Sequence, residues 1–243
     1  IPGLKIYFPF NSNDVYNILF NSIFDPNPVL ILEHRWLYDL IGTVKPSKKI
    51  KYCEKIANGS KATIVAMGNT VLDAYQLKKI YMKQNISFDI FKIISINPLK
   101  INNLISSLKK TKNLILLEPS HKKVSISSEI VSQLNSKNLY FKSKIISMPD
   151  IPTPTSYFLT KKFYPDTKET IKLINKFLKI EFKINKIDFQ QIHHDVPNKN
   201  FKGPFWTILK KMYRIIIKFI KKNILNNKIF QIIYSFYLAL RIE

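Results

Sequence analysis

Short apolar runs and amphipathic stretches alternate along most of the chain. Apolar runs bounded by turn residues predict strands at residues 4–8, 28–33, 62–67, 87–96, 113–118 and 139–148. Apolar residues at helical spacing predict helices within residues 11–25, 69–85, 97–111, 124–135 and 167–180. Asp14 and Thr167 are the expected N-caps of the first and last helix, and Pro98 is expected in the first turn of the third. This alternation predicts an α/β sheet with helices on both faces.

Residues 42–61 interrupt the alternation. The segment is rich in Lys, contains Gly, Pro and Ser, and shows no helical period. We therefore place a domain boundary in this segment and expect the segment to contain short extended pieces. A β-α-β unit with a right-handed crossover precedes the boundary, and a larger α/β domain follows it.

The second predicted strand ends in a dense group of functional side chains. In the stretch PVLILEHRWLYDL, four apolar residues are followed at once by Glu33, His34, Arg35, Trp36 and Tyr38. Open α/β sheets bind ligands and partners beyond the carboxyl ends of their strands. This position favours a functional role for the segment. The alternative is an ordinary polar loop, with Trp36 and Tyr38 packed beneath the residues that follow.

Composition and charge exclude several classes of protein. The formal net charge is +23, from 39 Lys and Arg against 16 Asp and Glu, but the bases are nearly all Lys and are scattered through every segment. A solvated surface accounts for this pattern, and we expect no nucleic acid partner. The single cysteine, Cys53, excludes a disulfide framework and a cysteine-based zinc site, and it indicates a reducing cytoplasm.

The common catalytic and nucleotide-binding motifs are absent from the sequence. There is no Gly-x-Gly-x-x-Gly, no phosphate-binding loop and no Gly-x-Ser-x-Gly, in a chain with only 5 Gly. His193, His194 and Asp195 resemble a metal cluster, but adjacent side chains point in different directions and no second cluster completes a coordination shell. We therefore predict no metal ligands.

Three stretches together carry a family resemblance. They are residues 1–38, beginning IPGLK and containing the NP turn and LE…LY, residues 59–74 (GSKATIVAMGNTVLDA), and residues 148–171 (MPDIPTPTSYFLTKKFYPDTKETI). In this combination they resemble the beta subunit of the thiamine diphosphate-dependent 2-oxo acid dehydrogenase component, in the transketolase-like superfamily. Residues 193–205 (HHDVPNKNFKGPF) also resemble the tail of a pyruvate- or acetoin-dehydrogenase-like branch.

The resemblance implies a fold and a division into domains. Residues 1–45 would be the last β-α-β part of a pyrimidine-binding domain and residues 46–61 a linker. Residues 62–182 would form a three-layer α/β/α domain like the transketolase C-terminal domain. An extended, family-like tail would follow at residues 183–204, and a basic amphipathic helical tail at residues 205–243.

The resemblance also implies the function of the whole enzyme. That enzyme would use thiamine diphosphate with magnesium to decarboxylate a 2-oxo acid and pass the acyl group to a lipoyl carrier. The implied partners are an alpha-type subunit with the diphosphate-binding domain and a second beta-type subunit. A lipoyl acyltransferase is a further candidate partner.

The family's cofactor-engaging Glu and substrate-side His residues lie upstream of the PGLK stretch, where this chain begins. Glu33 matches the later LE position and cannot be carried over as that Glu. We therefore assign no catalytic, cofactor-binding or metal residue, and expect the chain alone to bind no cofactor and to be inactive.

Glu33, His34, Arg35, Trp36 and Tyr38 are instead predicted to contact a partner subunit, through interface ion pairs and aromatic anchors. The loop LEPSHKKVSISSEI departs from the family, because Lys122, Lys123, Val124 and Ser125 stand where relatives usually carry glycines. His121 in this loop is expected to be a surface residue.

The residues after Phe205 are basic and amphipathic. Six bases, Lys210, Lys211, Arg214, Lys218, Lys221 and Lys222, are interleaved with an apolar set at helical spacing. Such a helix is typical of a membrane-surface or partner-binding segment, and a hairpin folded onto the subunit or its dimer mate explains it equally well.

Two other function classes remain beside the dehydrogenase subunit. One is a non-catalytic interaction module attached to a membrane or a protein through the tail. The other is a transketolase-type sugar enzyme, which the LEHRWLY stretch disfavours. The expected location is the cytoplasm, and the tail would add a peripheral membrane contact.

Overall fold

The computed structural model describes residues 2–38, 40–156, 159 and 163–181, and of Trp36 it describes the backbone only. Within these residues the helices are α1 (Ser12–Ile23), α2 (Thr70–Met82), α3 (Leu104–Thr111), α4 (Ile126–Asn135) and α5 (Thr167–Leu178), with a 3₁₀ turn at Arg35–Leu37. The strands are β1 (Lys5–Tyr7), β2 (Val29–Ile31), β3 (Cys53–Ala57), β4 (Ala62–Met67), β5 (Phe88–Ile93), β6 (Ser95–Asn97), β7 (Asn113–His121) and β8 (Lys142–Met148).

A five-stranded sheet forms the centre of the larger domain. Its order is β3-β5-β4-β7-β8, with β4 parallel to both neighbours, β7 parallel to β8, and β3 antiparallel to β5 at the edge. All six residues of β4 and all six of β5 are buried, which is why both read as nearly continuous apolar runs.

Helices cover this sheet on two faces. On one face, α3 and α4 pack on the strands. The helices contribute Leu104, Leu108, Ile130 and Leu134, and the strands contribute Val65, Met67, Phe91, Ile93, Leu114 and Leu116. Helices α2 and α5 contact each other, and the Tyr81 hydroxyl donates a hydrogen bond to Asn175 Oδ1 at 2.7 Å. The predicted α/β architecture with covering helices is therefore confirmed.

A smaller sheet joins the first 32 residues to the larger domain. Its order is β2-β1-β6, with β1 parallel to β2 and antiparallel to β6. The Phe8 amide continues the contact by donating to Ile94 O at 2.7 Å. The β-α-β unit is thus hydrogen-bonded directly to the chain that follows β5.

Three local predictions are wrong, each for a physical reason. Asn11 caps α1, because its side chain accepts from the Asp14 amide at 2.9 Å. Asp166 caps α5 by accepting from the Glu169 amide at 2.7 Å, so Thr167 is the first helical residue. Pro98 lies in a turn, where its carbonyl accepts from the Ser95 hydroxyl at 2.7 Å, and α3 begins only at Leu104, six residues after Pro98.

The domain boundaries remain predictions. Strand β3 lies inside the segment predicted as a linker, where it forms the edge of the central sheet. Among the described residues, no helix combines the length and apolarity needed to cross a membrane. The tails at 183–204 and 205–243 lie outside the described residues, and so do Lys210, Lys211, Arg214, Lys218, Lys221 and Lys222.

Candidate functional site at the carboxyl ends of the strands

A buried ion pair fixes the β-α-β unit against the central sheet. Lys92 Nζ of β5 lies 2.9 and 2.7 Å from the two carboxylate oxygens of Asp14 in α1. Glu54 of β3 approaches the same ammonium at 3.1 Å, and Asp14 also accepts from the Phe10 amide at 3.2 Å. The anchoring of α1 in turn positions β2 and the segment that follows it.

The segment predicted to contact a partner leaves the small sheet and turns outward. Glu33 and Arg35 are exposed, and Tyr38 is 65% exposed, so its ring is not packed beneath the following residues. The Tyr38 hydroxyl donates to Glu33 Oε2 at 3.1 Å, and this hydrogen bond raises the pKa of the Tyr38 phenol. These three side chains form an exposed patch, as a contact surface requires. Of Trp36 only the backbone is described.

His34 separates from this patch. Its side chain is half-buried and lines a pocket of about 270 Å³ at the carboxyl ends of β4 and β7. The other lining residues are Phe8, Asn69, Thr70, Asp73, Leu117, Glu118, Pro119, Ser120, Ile146, Met148, Tyr164, Pro165 and Thr170. The structure therefore divides the predicted group between an outer patch and a concave site.

The pocket lies where the order of the sheet reverses. From β4 the chain passes through α2 to β5 on one side, and then through α3 to β7 on the other side of β4. Ligands of open α/β sheets bind in the crevice outside the carboxyl ends of the strands, at such a point.

Gly68 shapes the wall of the pocket. Its φ is +53°, and a Cβ at this position would lie 2.2 Å from the Phe8 ring. A glycine is therefore needed both for the backbone turn after β4 and for the close approach of Phe8.

Two polar side chains of the pocket are held by their neighbours. Glu118 accepts from the Ser127 amide at 3.0 Å and from the Ser120 hydroxyl at 2.7 Å. The Thr70 hydroxyl donates toward Leu117 O at 3.0 Å and Met67 O at 2.8 Å, which ties the first turn of α2 to both strands.

Sequence reasoning missed the polar pocket residues Asn69, Asp73 and Glu118. The signal available was that Asn69 follows a buried strand, that Glu118 ends a predicted strand, and that Asp73 stands in the first turn of the next helix. His121, expected at the surface, is half-buried: its Nδ1 lies 2.7 Å from Pro149 O, and its ring meets Phe163 edge-on at 6.0 Å.

The described residues do not fit a magnesium-bound diphosphate. Among them, no three His, Cys, Asp or Glu side chains are grouped as metal ligands. The pocket instead presents the carboxylates of Asp73 and Glu118, which repel a diphosphate. We therefore assign no cofactor step to these residues.

Comparison with known proteins identifies the larger domain. Residues 51–170 match the family model "Transketolase, C-terminal domain". Over this range the chain belongs to the transketolase C-terminal domain family. The strand β3 belongs to this family match, whereas the sequence alone placed it in a linker.

Curated relatives extend the similarity to most of the described chain. The mitochondrial pyruvate dehydrogenase E1 component subunit beta of Saccharomyces cerevisiae is 30% identical over 192 residues, which cover 74% of this chain and 52% of the yeast protein. The Rickettsia felis subunit beta is 27% identical and the Bacillus subtilis one 24%; the alignments cover 72% and 73% of this chain and 56% of each relative. The predicted relationship to dehydrogenase beta subunits is confirmed, and the chain spans about half the length of these relatives.

A solved structure supports the fold of this transketolase-like chain. The "Split gene transketolase, inactive beta4 tetramer" superposes with a TM-score of 0.60 at 18% identity, covering 75% of this chain and 59% of that one. At this identity the similarity shows the fold alone.

Proposed function

We propose that this chain is the C-terminal portion of a beta-type subunit of a thiamine diphosphate-dependent 2-oxo acid dehydrogenase. Its task is subunit assembly and support of the cofactor domain. The observation that carries this proposal is the joining of a transketolase C-terminal domain to a β-α-β unit through strand β6 and the Lys92–Asp14 pair. Through this connection, assembly contacts made by the larger domain would also hold the β-α-β unit.

The whole enzyme would bind thiamine diphosphate with magnesium through residues outside the described chain. The cofactor would supply the electron sink for decarboxylation of the 2-oxo acid. Within this chain, Arg35, Tyr38 and Glu33 would contact an alpha-type subunit or the second beta-type subunit. A lipoyl acyltransferase would accept the acyl group.

Reconstitution tests the proposal. The full chain is mixed with an alpha-type subunit from the same genome and with a polypeptide carrying the N-terminal half of a beta-type subunit. We expect one complex by size-exclusion chromatography with light scattering, and lipoyl acylation from pyruvate or a branched-chain 2-oxo acid only when all parts are present. A chain that stays apart from both polypeptides would favour the non-catalytic interaction module, and turnover by the chain alone would contradict the assignment of the cofactor residues.

The location of the protein is part of the same proposal. The subunit would act in the cytoplasm, and the bases between Lys210 and Lys222 would add a reversible contact with anionic lipid. Residues 205–243 could instead fold onto protein, and the vesicle experiment in the Discussion separates these two outcomes.

A further inference from the structure

Helix α1 buries polar residues and exposes apolar ones. Its buried residues are Asp14, Asn17 and Ile18, two of which are polar. Every exposed residue of the helix and of its C-cap is large and apolar, with exposures between 42% and 76%: Tyr16, Leu19, Phe20, Ile23 and Phe24. We call these five residues the α1 stripe.

The aromatic members of the α1 stripe form a ladder along the helix. The rings of Tyr16 and Phe20 are stacked with their centroids 6.1 Å apart, and the Phe24 ring meets Phe20 edge-on at 5.5 Å. The five side chains together expose on the order of 500 Å² of apolar surface. The largest exposed apolar patch of a monomeric protein is about 300–600 Å² and is often functional. The α1 stripe is therefore large enough to be a contact surface.

A lysine-rich segment is fastened beside the α1 stripe. Asn13, Asn17 and Asn21 stand four residues apart on α1. The Lys45 amide donates to Asn13 Oδ1 at 2.8 Å, and Asn17 Nδ2 donates to Lys45 O at 3.1 Å. Asn21 Nδ2 donates to Ser47 O at 2.8 Å. Each aromatic residue of the stripe follows one of these asparagines by three positions, and residues three apart are neighbours on a helix surface. The segment therefore runs along the aromatic edge of the stripe.

The charge around the α1 stripe is positive. Residues 6–34 contain no Lys or Arg, in a chain that has 39, so no base interrupts the stripe itself. The acidic residues of the helix and the turn after it are already paired, Asp14 with Lys92 and Asp25 with Lys5. Three lysines of the fastened segment are exposed and belong to none of the ion pairs of the described residues: Lys45, Lys48 and Lys49.

An anionic lipid surface satisfies both features at once. The apolar side chains of a helix that lies in a membrane interface enter the boundary between headgroups and acyl chains, and lysines beside them attract anionic headgroups. Tyrosine is enriched at that boundary. A second copy of the chain would also bury the stripe, but it would bring the same lysines toward one another in a chain whose net charge is already +23. Charge complementarity therefore favours lipid.

We propose that helix α1 docks on an anionic membrane surface. The α1 stripe enters the headgroup boundary, and Lys45, Lys48 and Lys49 contact the anionic headgroups. This surface is separate from the basic residues between 205 and 243, and the proposal does not depend on the chain being part of a dehydrogenase.

Methyl NMR on lipid nanodiscs tests which residues of the full chain touch lipid. The chain carries ¹³C-labelled Ile methyl groups, and the nanodiscs contain phosphatidylcholine, phosphatidylserine and a doxyl-labelled lipid. We expect the doxyl group to broaden the Ile23 methyl signal much more than that of Ile151. Ile151 is 56% exposed and follows β8, at the edge of the central sheet opposite β3. Equal broadening of the two signals, or binding through residues 205–243 with no broadening at Ile23, overturns the proposal.

Variants of the full chain test the two parts of the surface. Phe20→Ser/Phe24→Ser and Lys48→Gln/Lys49→Gln are each expected to weaken co-sedimentation with phosphatidylserine-containing vesicles about tenfold or more. Circular dichroism checks that each variant is folded. Lys48 and Lys49 are exposed, so the lysine variant keeps the comparison even if loss of the ring contacts unfolds α1.

Matched changes elsewhere on the surface provide the controls. Tyr140→Ser removes an aromatic ring that is 83% exposed, and Lys137→Gln/Lys142→Gln removes two exposed lysines, so its net charge equals that of the lysine variant. Both controls should pellet like the parent chain. An equal loss in the controls would show that binding follows overall charge and would contradict the assignment to α1.

Two further measurements test the other occupants of the α1 stripe. By sedimentation velocity without lipid, a dimer that dissociates in Phe20→Ser/Phe24→Ser would assign the stripe to a second copy and overturn the proposal. Loss of the Ile23 broadening when the N-terminal half of a beta-type subunit is added would assign the stripe to that polypeptide, with the same consequence. A monomer whose Ile23 broadening is unchanged by that addition supports lipid docking.

Discussion

Lys92 and Asp14 form an ion pair across 78 residues of sequence, with their side chains only 3% and 4% exposed and a separation of 2.7 Å. One residue belongs to the central sheet and the other to the helix of the β-α-β unit. This pair, together with β1 and β6, holds the two parts of the described chain in one arrangement.

Removal of one partner of this pair is expected to be strongly destabilising. Lys92→Met leaves the Asp14 carboxylate buried beside Glu54, and should lower the free energy of unfolding by about 3–5 kcal/mol. The double variant Asp14→Asn/Lys92→Met should recover part of this loss, because the buried Asp14 charge is gone and Glu54 keeps its second partner, Lys51. Urea denaturation followed by circular dichroism measures all three proteins. A loss below about 1 kcal/mol in Lys92→Met would show that the pair is solvated.

The exposed patch after β2 should contribute to partner binding more than to folding. Arg35→Ala and Tyr38→Ala are each expected to weaken association with the partner subunit by about 1–3 kcal/mol, as truncated interface anchors do. Biolayer interferometry against the immobilised alpha-type subunit measures the dissociation constants.

Exposed residues far along the chain provide controls for this patch. Tyr140, 83% exposed, and Lys137 allow the matched changes Tyr140→Ala and Lys137→Ala. Normal binding by Arg35→Ala and Tyr38→Ala, with a much lower melting temperature, would identify them as packing residues.

Asp89 links stability to acid pH. Burial by itself would raise the pKa of this carboxyl, but hydrogen bonds from Lys110, Ser107 and Lys55 and from the Gly59 amide outweigh it and lower the pKa from 3.8 to about 2. A lowered folded pKa means that Asp89 stabilises the protein above pH 3.8 and loses this effect as the pH falls through about 2. Lys55 and Lys110 are 36% and 49% exposed, so screening reduces the contribution to about 1 kcal/mol.

The variant Asp89→Asn tests this linkage. Its deficit in stability relative to the parent protein should be largest near neutral pH and should shrink by about 1 kcal/mol between pH 4 and pH 2. Chemical denaturation at a series of pH values measures the difference. A deficit that stays constant over this range would assign the cost to lost packing around Ser107 and Thr63.

The loop after β7 contains a residue in a conformation that favours glycine. Val124 has a φ of +53° and is fully exposed, so its β-branched side chain gains no packing in return for the strain. Val124→Gly should therefore stabilise the protein by about 0.5–1 kcal/mol, the relief of strain less the greater chain entropy of glycine. Val124→Ala keeps the Cβ and should gain less. Equal melting temperatures for all three proteins would show that the loop adopts another backbone conformation.

Residues 205–243 are expected to bind anionic lipid reversibly. Six bases lie between Lys210 and Lys222, and each would contribute about 1 kcal/mol at an anionic surface. Vesicle co-sedimentation of the full chain against a version that ends at Pro204 measures the effect. Binding should fall in high salt, because the Debye length shortens from about 10 Å at 0.1 M to about 3 Å at 1 M. Equal pelleting of the two proteins, or loss of subunit assembly on truncation, would favour a tail that folds onto protein.

The elements of the fold could be predicted from the sequence because their signals are local. The apolar run at β4 and the spacing of Val71, Ala74 and Leu77 in α2 each lie within a dozen residues, and burial dictates both patterns. The family resemblance rests on equally contiguous stretches. The helix caps were harder to predict from the sequence, because Asn11 and Asp14 are both good capping residues. Only the backbone conformation at the start of α1 selects Asn11.

By itself, the sequence determined the α/β class, the family, the polar group at residues 33–38, and the order of the strands and helices apart from β3 and the separate strand β6. Only the tertiary structure decided that Lys92 pairs with Asp14, that His34 leaves its neighbours for the pocket, and that Asn69 and Glu118 meet there. The physical reason is that a side chain's partner depends on which strands become neighbours. Strand β4 stands between β5 and β7 because of the reversal in strand order, and that reversal is a property of the whole sheet that no local stretch encodes.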